Sequence, residues 1–163
     1  MRDKTLENLM AAFAGESQAN RKYLAYAKKA ETEGKYNAAK LFRAAADAET
    51  LHALKEFDVA GKVKSTKENL MDGIAGETYE YQEMYPPFIE QAEKDGNKAA
   101  ATVFTHAMKA EQIHAKLYQE ALDGLDDVEE KHYYLCPVCG NIETSPTDKC
   151  SICGVSGAKF IEY

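Results

Sequence analysis

The phrase AETLHA stands at 48–53 and returns as AEQIHA at 110–115, while AGES at 14–17 returns as AGET at 75–78. The offsets are 62 and 61, so the chain repeats a long unit rather than one motif. Gly34, Gly61, Gly96 and Gly124 punctuate the same region at spacings near 30 residues. A glycine just past a helical run is the expected stop, because it takes the left-handed conformation without Cβ strain. Ser65-Thr66-Lys67-Glu68 reads as a capping box, and Asn97 as a second cap. These signals predict helices near 4–33, 36–60, 66–95 and 98–123, forming two matching αα-hairpins. Pro86-Pro87 falls inside the third helix and predicts a kink there. Four long helices with short turns predict an all-α four-helix bundle.

The apolar stripes locate a site inside that bundle. Leu9, Phe13, Glu16, Tyr23 and Ala27 share one face of the first helix, and Phe42, Ala45, Glu49 and His52 one face of the second. On the third, Leu70, Ile74, Glu77, Glu80, Met84 and Phe88 line up, and on the fourth Ala100, Phe104, Ala107, Glu111 and His114. Every stripe is interrupted by acid near its middle. Glu49 and Glu111 each lie 15 residues past a turn glycine, and Glu16 and Glu77 lie 18 and 19 before the same glycines. At ~1.5 Å per residue each acid is ~22–28 Å from its turn, so both arms of a hairpin bring their acids to one level. Glu-x-x-His by itself carries little weight among 18 Glu and four His. The third instance, Glu129–His132, has no partner and belongs to the linker.

Carboxylates buried in a bundle core and left unpaired would each cost several kcal/mol. No Lys or Arg falls on the stripes beside them, which removes the ion-pair solution. A cation remains, and mixed carboxylate and imidazole donors suit iron or manganese. One Glu from each of two helices plus Glu-x-x-His from each of two others is the donor pattern of di-iron and di-manganese bundles. Glu16 and Glu77 are the single acids here, and Glu80 is an additional candidate one turn beyond Glu77.

All four cysteines lie between 136 and 153, where the composition turns to Pro and Gly. Cys136-Pro-Val-Cys139-Gly and Cys150-Ser-Ile-Cys153-Gly predict a tetrahedral four-thiolate metal site. A segment of some thirty residues cannot fold on an apolar core alone, so metal must stabilise it. Spacing does not separate structural zinc from a single redox iron there. The reading therefore divides the chain into a bundle at 1–125, a linker at 126–133 and a knuckle domain at 134–163.

AGESQANRKY, AETLHA, AGETYEYQEMYP, AEQIHA and the paired CxxCG knuckles together closely resemble the rubrerythrin family over essentially the whole chain. The resemblance implies a ferritin-like di-iron bundle with a rubredoxin-like domain carrying one iron. It implies a peroxidase that reduces hydrogen peroxide to water, fed by rubredoxin or an NAD(P)H-linked reductase. By position, Glu16, Glu49, Glu77, Glu80, Glu111 and His114 would bind two irons, and His52 would replace Glu80 when the site is reduced. Tyr23 and Tyr85 match family tyrosines near the site. Cys136, Cys139, Cys150 and Cys153 would bind the third iron. CSIC departs from relatives in which a Pro is common, without consequence for ligation.

In the family the two hairpins are related by a pseudo-twofold, which requires the second and third helices to run parallel. The link from Gly61 to about Ser65 spans at most ~17 Å, too short to traverse helices ~35–45 Å long. Hairpin exchange in a homodimer or higher oligomer is therefore expected, each site taking 1–60 of one chain and 66–123 of the other. Electrons from the thiolate-bound iron are expected to cross the dimer. A different function, ferritin-like ferroxidase or iron storage with zinc in the knuckles, fits the same bundle but leaves Glu80 and the knuckles without a role. An oxygenase finds no support, since nothing marks an organic substrate pocket. The net charge of −7 argues against nucleic acid, and no apolar run is long enough to span a membrane. The opening MRDKTLENLM has no signal-peptide core, so a cytoplasmic protein is expected.

Overall fold

The computed structural model describes residues 3–163. Helix α1 runs Lys4–Thr32 and α2 Tyr36–Val59. Helix α3 runs Thr66–Tyr79, continues through a π-helical turn at Glu80–Met84, and passes into α4 at Tyr85–Lys94. Helix α5 spans Lys98–Asp123. The start of α1 is fixed by Asp3, whose Oδ1 accepts from the backbone N–H of Thr5 and Leu6 at 3.0 and 3.3 Å. The Ser65–Glu68 capping box forms as expected, and Asn97 Oδ1 accepts from Ala100 N at 3.1 Å. Gly34, Gly61 and Gly96 take φ near +70°, ending their helices in the left-handed conformation. Gly124 ends α5 with φ −102°, so it stops the helix without that conformation.

The expected proline kink takes a different form. Pro86 and Pro87 stand in the first turn of α4. Lacking N–H groups, they leave the carbonyls a turn before them without their usual donors. The chain widens instead into the π-helical turn, in which Tyr85 N–H donates to Glu80 O five residues back. The extra residue falls directly beside Glu80.

The chain divides into two compact units, one ending at Lys64 and the other covering Ser65–Tyr163. In the first, α1 packs along α2 through small residues: Ala27, Ala30, Ala39, Ala46 and Ala53 are buried. Phe13 stacks on Phe57 at 4.6 Å. Asn20 Nδ2 donates to Ala46 O at 2.7 Å and to Thr50 Oγ1 at 2.8 Å, tying the middle of α1 to the middle of α2.

In the second unit α3, the π turn and α4 pack on α5, with Phe88, Tyr85 and Phe104 in mutual contact. Strands β1 (Tyr134–Leu135), β2 (Ile142–Glu143) and β3 (Ile161–Glu162) make a small antiparallel sheet in the order β2-β1-β3. Strand β2 packs on α5, so the cysteine-bearing segment belongs to the same compact unit as the second hairpin. No helix is long and apolar enough to cross a membrane among the described residues.

Candidate metal centres

Each unit gathers one set of the predicted donors. In the first, ligand atoms of Glu16, Glu49 and His52 lie within 4.8 Å of one another. Helix α1 presents Glu16, and one turn of α2 presents the other two, with His52 Nδ1 2.9 Å from Glu49 Oε2. In the second unit, Glu77 from α3 meets Glu111 and His114 from α5 within the same limit. His114 Nδ1 is 2.7 Å from Glu111 Oε2 and 3.8 Å from Glu77 Oε1. The hairpin repeat therefore places equivalent residues in equivalent clusters.

The electrostatics say what these clusters want. Burial and the neighbouring Glu111 carboxylate push Glu77 up to about 7. Burial and Glu49 likewise raise Glu16. Carboxylates held this close resist ionising together, which is the condition a divalent cation relieves. Burial and then Glu111 also raise Glu80, with His114 in opposition, placing it beside the second cluster without joining its tightest group. Tyr85 is raised by burial and then by Glu111, Glu80 and Glu77, so its hydroxyl keeps its proton next to three acids. Tyr23 packs with Tyr26 and Phe42, at ring distances of 6.3 and 6.2 Å.

The two clusters differ in their outer contacts. His114 is 17% exposed and His52 58%. His114 Nε2 lies 2.9 Å from the carbonyl oxygen of Gly140, in the first cysteine knuckle. A carbonyl only accepts, so Nε2 carries a proton toward Gly140, and Nδ1 is the nitrogen turned to the carboxylates, whose lone pair a metal there would use once any proton on it has left. Burial lowers the affinity of His114 for a second proton, but Glu111 and Gly140 outweigh it and raise the pKa. Because β2 packs on α5, this contact joins the knuckle to a donor histidine within one chain.

The four cysteines form the third cluster, all free thiols with Sγ atoms mutually within 4.8 Å. Cys136 Sγ lies 3.6 Å from Cys153 Sγ, and Cys139 Sγ 3.5 Å from Cys150 Sγ. A tetrahedron with ~2.3 Å metal–sulfur bonds has edges of ~3.8 Å, so the donors fit one thiophilic ion. Burial opposes ionisation of Cys150, yet the backbone N–H groups of Cys153 and Ile152 outweigh it and bring the thiol down to about 6. Gly140 and Gly154, each one residue past its CxxC, take φ of +81° and +72°, which lets each knuckle turn back on its own first cysteine.

The family model for rubrerythrin matches residues 7–122. The chain belongs to the rubrerythrin family. Nigerythrin from Nitratidesulfovibrio vulgaris is 40% identical over 98% of this chain and 86% of its own length. Rubrerythrin-2 from Clostridium acetobutylicum is 36% identical over 96% and 95% of the two chains. A nigerythrin structure in its fully reduced, all-ferrous state has a TM-score of 0.61 at 38% identity, covering all of this chain and 88% of the other. The expected architecture, a ferritin-like helical bundle with a small C-terminal cysteine knuckle, is thus that of solved relatives. Rubrerythrins are oxidoreductases with a di-iron site and a four-cysteine iron site, and this chain carries donors for both.

Three contributors escaped the sequence reading. Gly140 acts through its carbonyl, which no residue type announces. Asn20 joins α1 to α2 beside Glu16, and its place four residues past that acid was a usable signal. Glu56 lies four residues past His52, contributes to raising Glu16, and has a buried Oε2 with no hydrogen-bond partner among the described residues. Its spacing was equally readable. In the third Glu-x-x-His, His132 Nδ1 lies 3.1 Å from Glu162 Oε1 of β3.

Proposed function

We propose that this chain is a cytoplasmic peroxidase that reduces hydrogen peroxide to two waters, consuming two electrons and two protons. Glu16, Glu49, Glu77, Glu80, Glu111 and His114 would hold two irons, with His52 and Glu80 as alternative donors to one of them. Iron bound there supplies the electrons to the peroxide O–O bond. The residues hold and orient: the Gly140 carbonyl accepts from His114 Nε2, and Tyr85, protonated beside the acids, would donate a hydrogen bond toward them. Tyr23 has the same role on the first hairpin.

The observation that carries this reading is the 2.9 Å contact of His114 with Gly140. Gly140 follows Cys139 directly, so one hydrogen bond and a short stretch of chain join the four-thiolate site to the carboxylate cluster. That junction serves a centre re-reduced each turnover by rubredoxin or an NAD(P)H-linked reductase, and it has no use in a store with structural zinc. The working division is 1–125 for peroxide chemistry, 126–133 as linker and 134–163 for electron entry. The first unit carries Glu16, Glu49 and His52 and the second Glu77, Glu80, Glu111 and His114, and we infer that two chains exchange hairpins to complete each centre.

The test is anaerobic. Fully reduced protein receives stoichiometric hydrogen peroxide or, separately, O2, while the ferric-thiolate colour is followed. Fast return with peroxide and slow return with O2 is the expected result. Preference for O2 would make the protein a ferroxidase, and no colour at any stage would put zinc in the knuckles.

A further inference from the structure

Asn141 is fully buried, the one polar or charged residue so placed among the described residues. It follows Gly140 and leads into β2, and its backbone carbonyl accepts from Cys136 N at 2.8 Å. Its side-chain Nδ2 lies 2.7 Å from Glu143 Oε1, 3.2 Å from Ser151 Oγ and 3.7 Å from Cys150 Sγ. Ser151 Oγ donates to the same Glu143 oxygen at 2.8 Å. Asn141 Oδ1 is buried without a hydrogen-bond partner among the described residues.

A buried amide with an unmet oxygen is destabilising, a cost that leucine, of similar volume, would avoid. The orientation is set by what surrounds Nδ2. Turning the amide over would press Oδ1 against a carboxylate oxygen and a sulfur, both electron-rich. Of its two N–H bonds, one goes to Glu143, and the other points between Cys150 Sγ and Ser151 Oγ.

We propose that Asn141 and Glu143 are positioning residues that set the reduction potential of the four-thiolate site in opposite directions. Four thiolates around a trivalent ion carry one net negative charge, and around a divalent ion two. Reduction adds one electron and no proton. An N–H aimed at a thiolate sulfur stabilises the more negative state and raises the potential, whereas a nearby carboxylate disfavours it. Asn141 stands between the two, holding the Glu143 charge on its far hydrogen while presenting the near one to Cys150. This deepens the reading of the knuckles as an electron-entry site.

The full-length protein, reconstituted with iron so that the test does not depend on the metal found on purification, is titrated with dithionite and mediators while the thiolate colour is followed. Asn141→Leu lowers the potential, so that the ferrous-to-ferric ratio at fixed ambient potential falls about three- to tenfold, tenfold being 59 mV for one electron. Glu143→Gln moves the ratio the other way. Opposite shifts with unchanged iron stoichiometry and band positions are outside what a purely packing role produces. An unchanged or raised potential in Asn141→Leu overturns the inference. If that variant fails to hold iron, Glu143→Gln decides: a raised potential supports the inference, and an unchanged or lowered one overturns it. None of these outcomes depends on whether the centre prefers peroxide.

Discussion

Hairpin exchange makes a complementation prediction that no self-contained arrangement shares. Lys62 N–H donates to Phe57 O at 3.1 Å, so the C-terminal turn of α2 reaches that far, and the link between the helices runs only from Lys62 to Thr66. Four steps span ~14 Å at full extension, against ~36 Å for the 24 residues of α2. Consider two damaged chains, Glu49→Ala/His52→Ala and Glu111→Ala/His114→Ala. Alone, each leaves every centre short of two donors. Unfolded together in equal amounts and refolded, half the dimers are mixed. Under exchange, one centre of each mixed dimer joins two intact hairpins and the other joins two damaged ones. About one quarter of all centres therefore recover the full donor set. Iron retained outside the thiolate site, and peroxide consumption, should both return to roughly that fraction of the undamaged protein. No recovery in the mixture, with both chains regaining normal helical content, would refute the exchange.

The metal-free protein should show a pH dependence opposite to that of the loaded one. Glu77 is raised to about 7 in the fold against 4.5 as a free side chain, so the folded state holds more protons between those values and stability falls as pH rises through them. After allowance for solvent screening this amounts to about 2 kcal/mol, or about 4–8 °C in Tm. His114, raised from 6.5, has the same sign: its contribution is complete below 6.5 and disappears as pH rises through its folded value. Thermal melts after chelation should show wild type gaining more than Glu77→Gln between pH 7.5 and pH 5, and equal gains would contradict the crowding of these acids. Metal-loaded protein should instead lose stability on acidification, because protons compete for the donors. A Cβ at Gly157 would stand 1.5 Å from the backbone oxygen of Thr147, so Gly157→Ala should abolish four-thiolate metal binding while helical circular dichroism persists. Ser65→Ala should cost about 1 kcal/mol by removing the cap of α3, whereas Ser65→Gly should cost a few tenths, read from denaturant midpoints.

Much of the architecture was legible because it rests on local chemistry. Turn glycines, the Ser65–Glu68 box and the Asn97 cap bounded four helical runs within a residue or two of where they lie. Helical periodicity then put Glu16 with Glu49, and Glu77 with Glu111, at matched levels, since a fixed rise per residue converts chain counting into height. The proline pair announced a disturbance but not its form. Whether a helix bends or widens depends on which carbonyls find other donors, and here Tyr85 N–H reached Glu80.

The sequence by itself determined which donors exist and at what height they sit, because spacing along a helix or between knuckle cysteines is a property of the chain alone. Only the tertiary structure decided how the two halves differ. Packing of β2 on α5 brought the Gly140 carbonyl to His114, engaging Nε2 of one histidine while His52 stayed exposed. The same small domain buried Asn141 among Glu143, Ser151 and Cys150, four positions spread over eleven residues whose meeting no periodicity encodes. Contacts of that kind arise from chain reversal and close packing, which bring backbone carbonyls and distant side chains together without leaving a pattern in the order of residues.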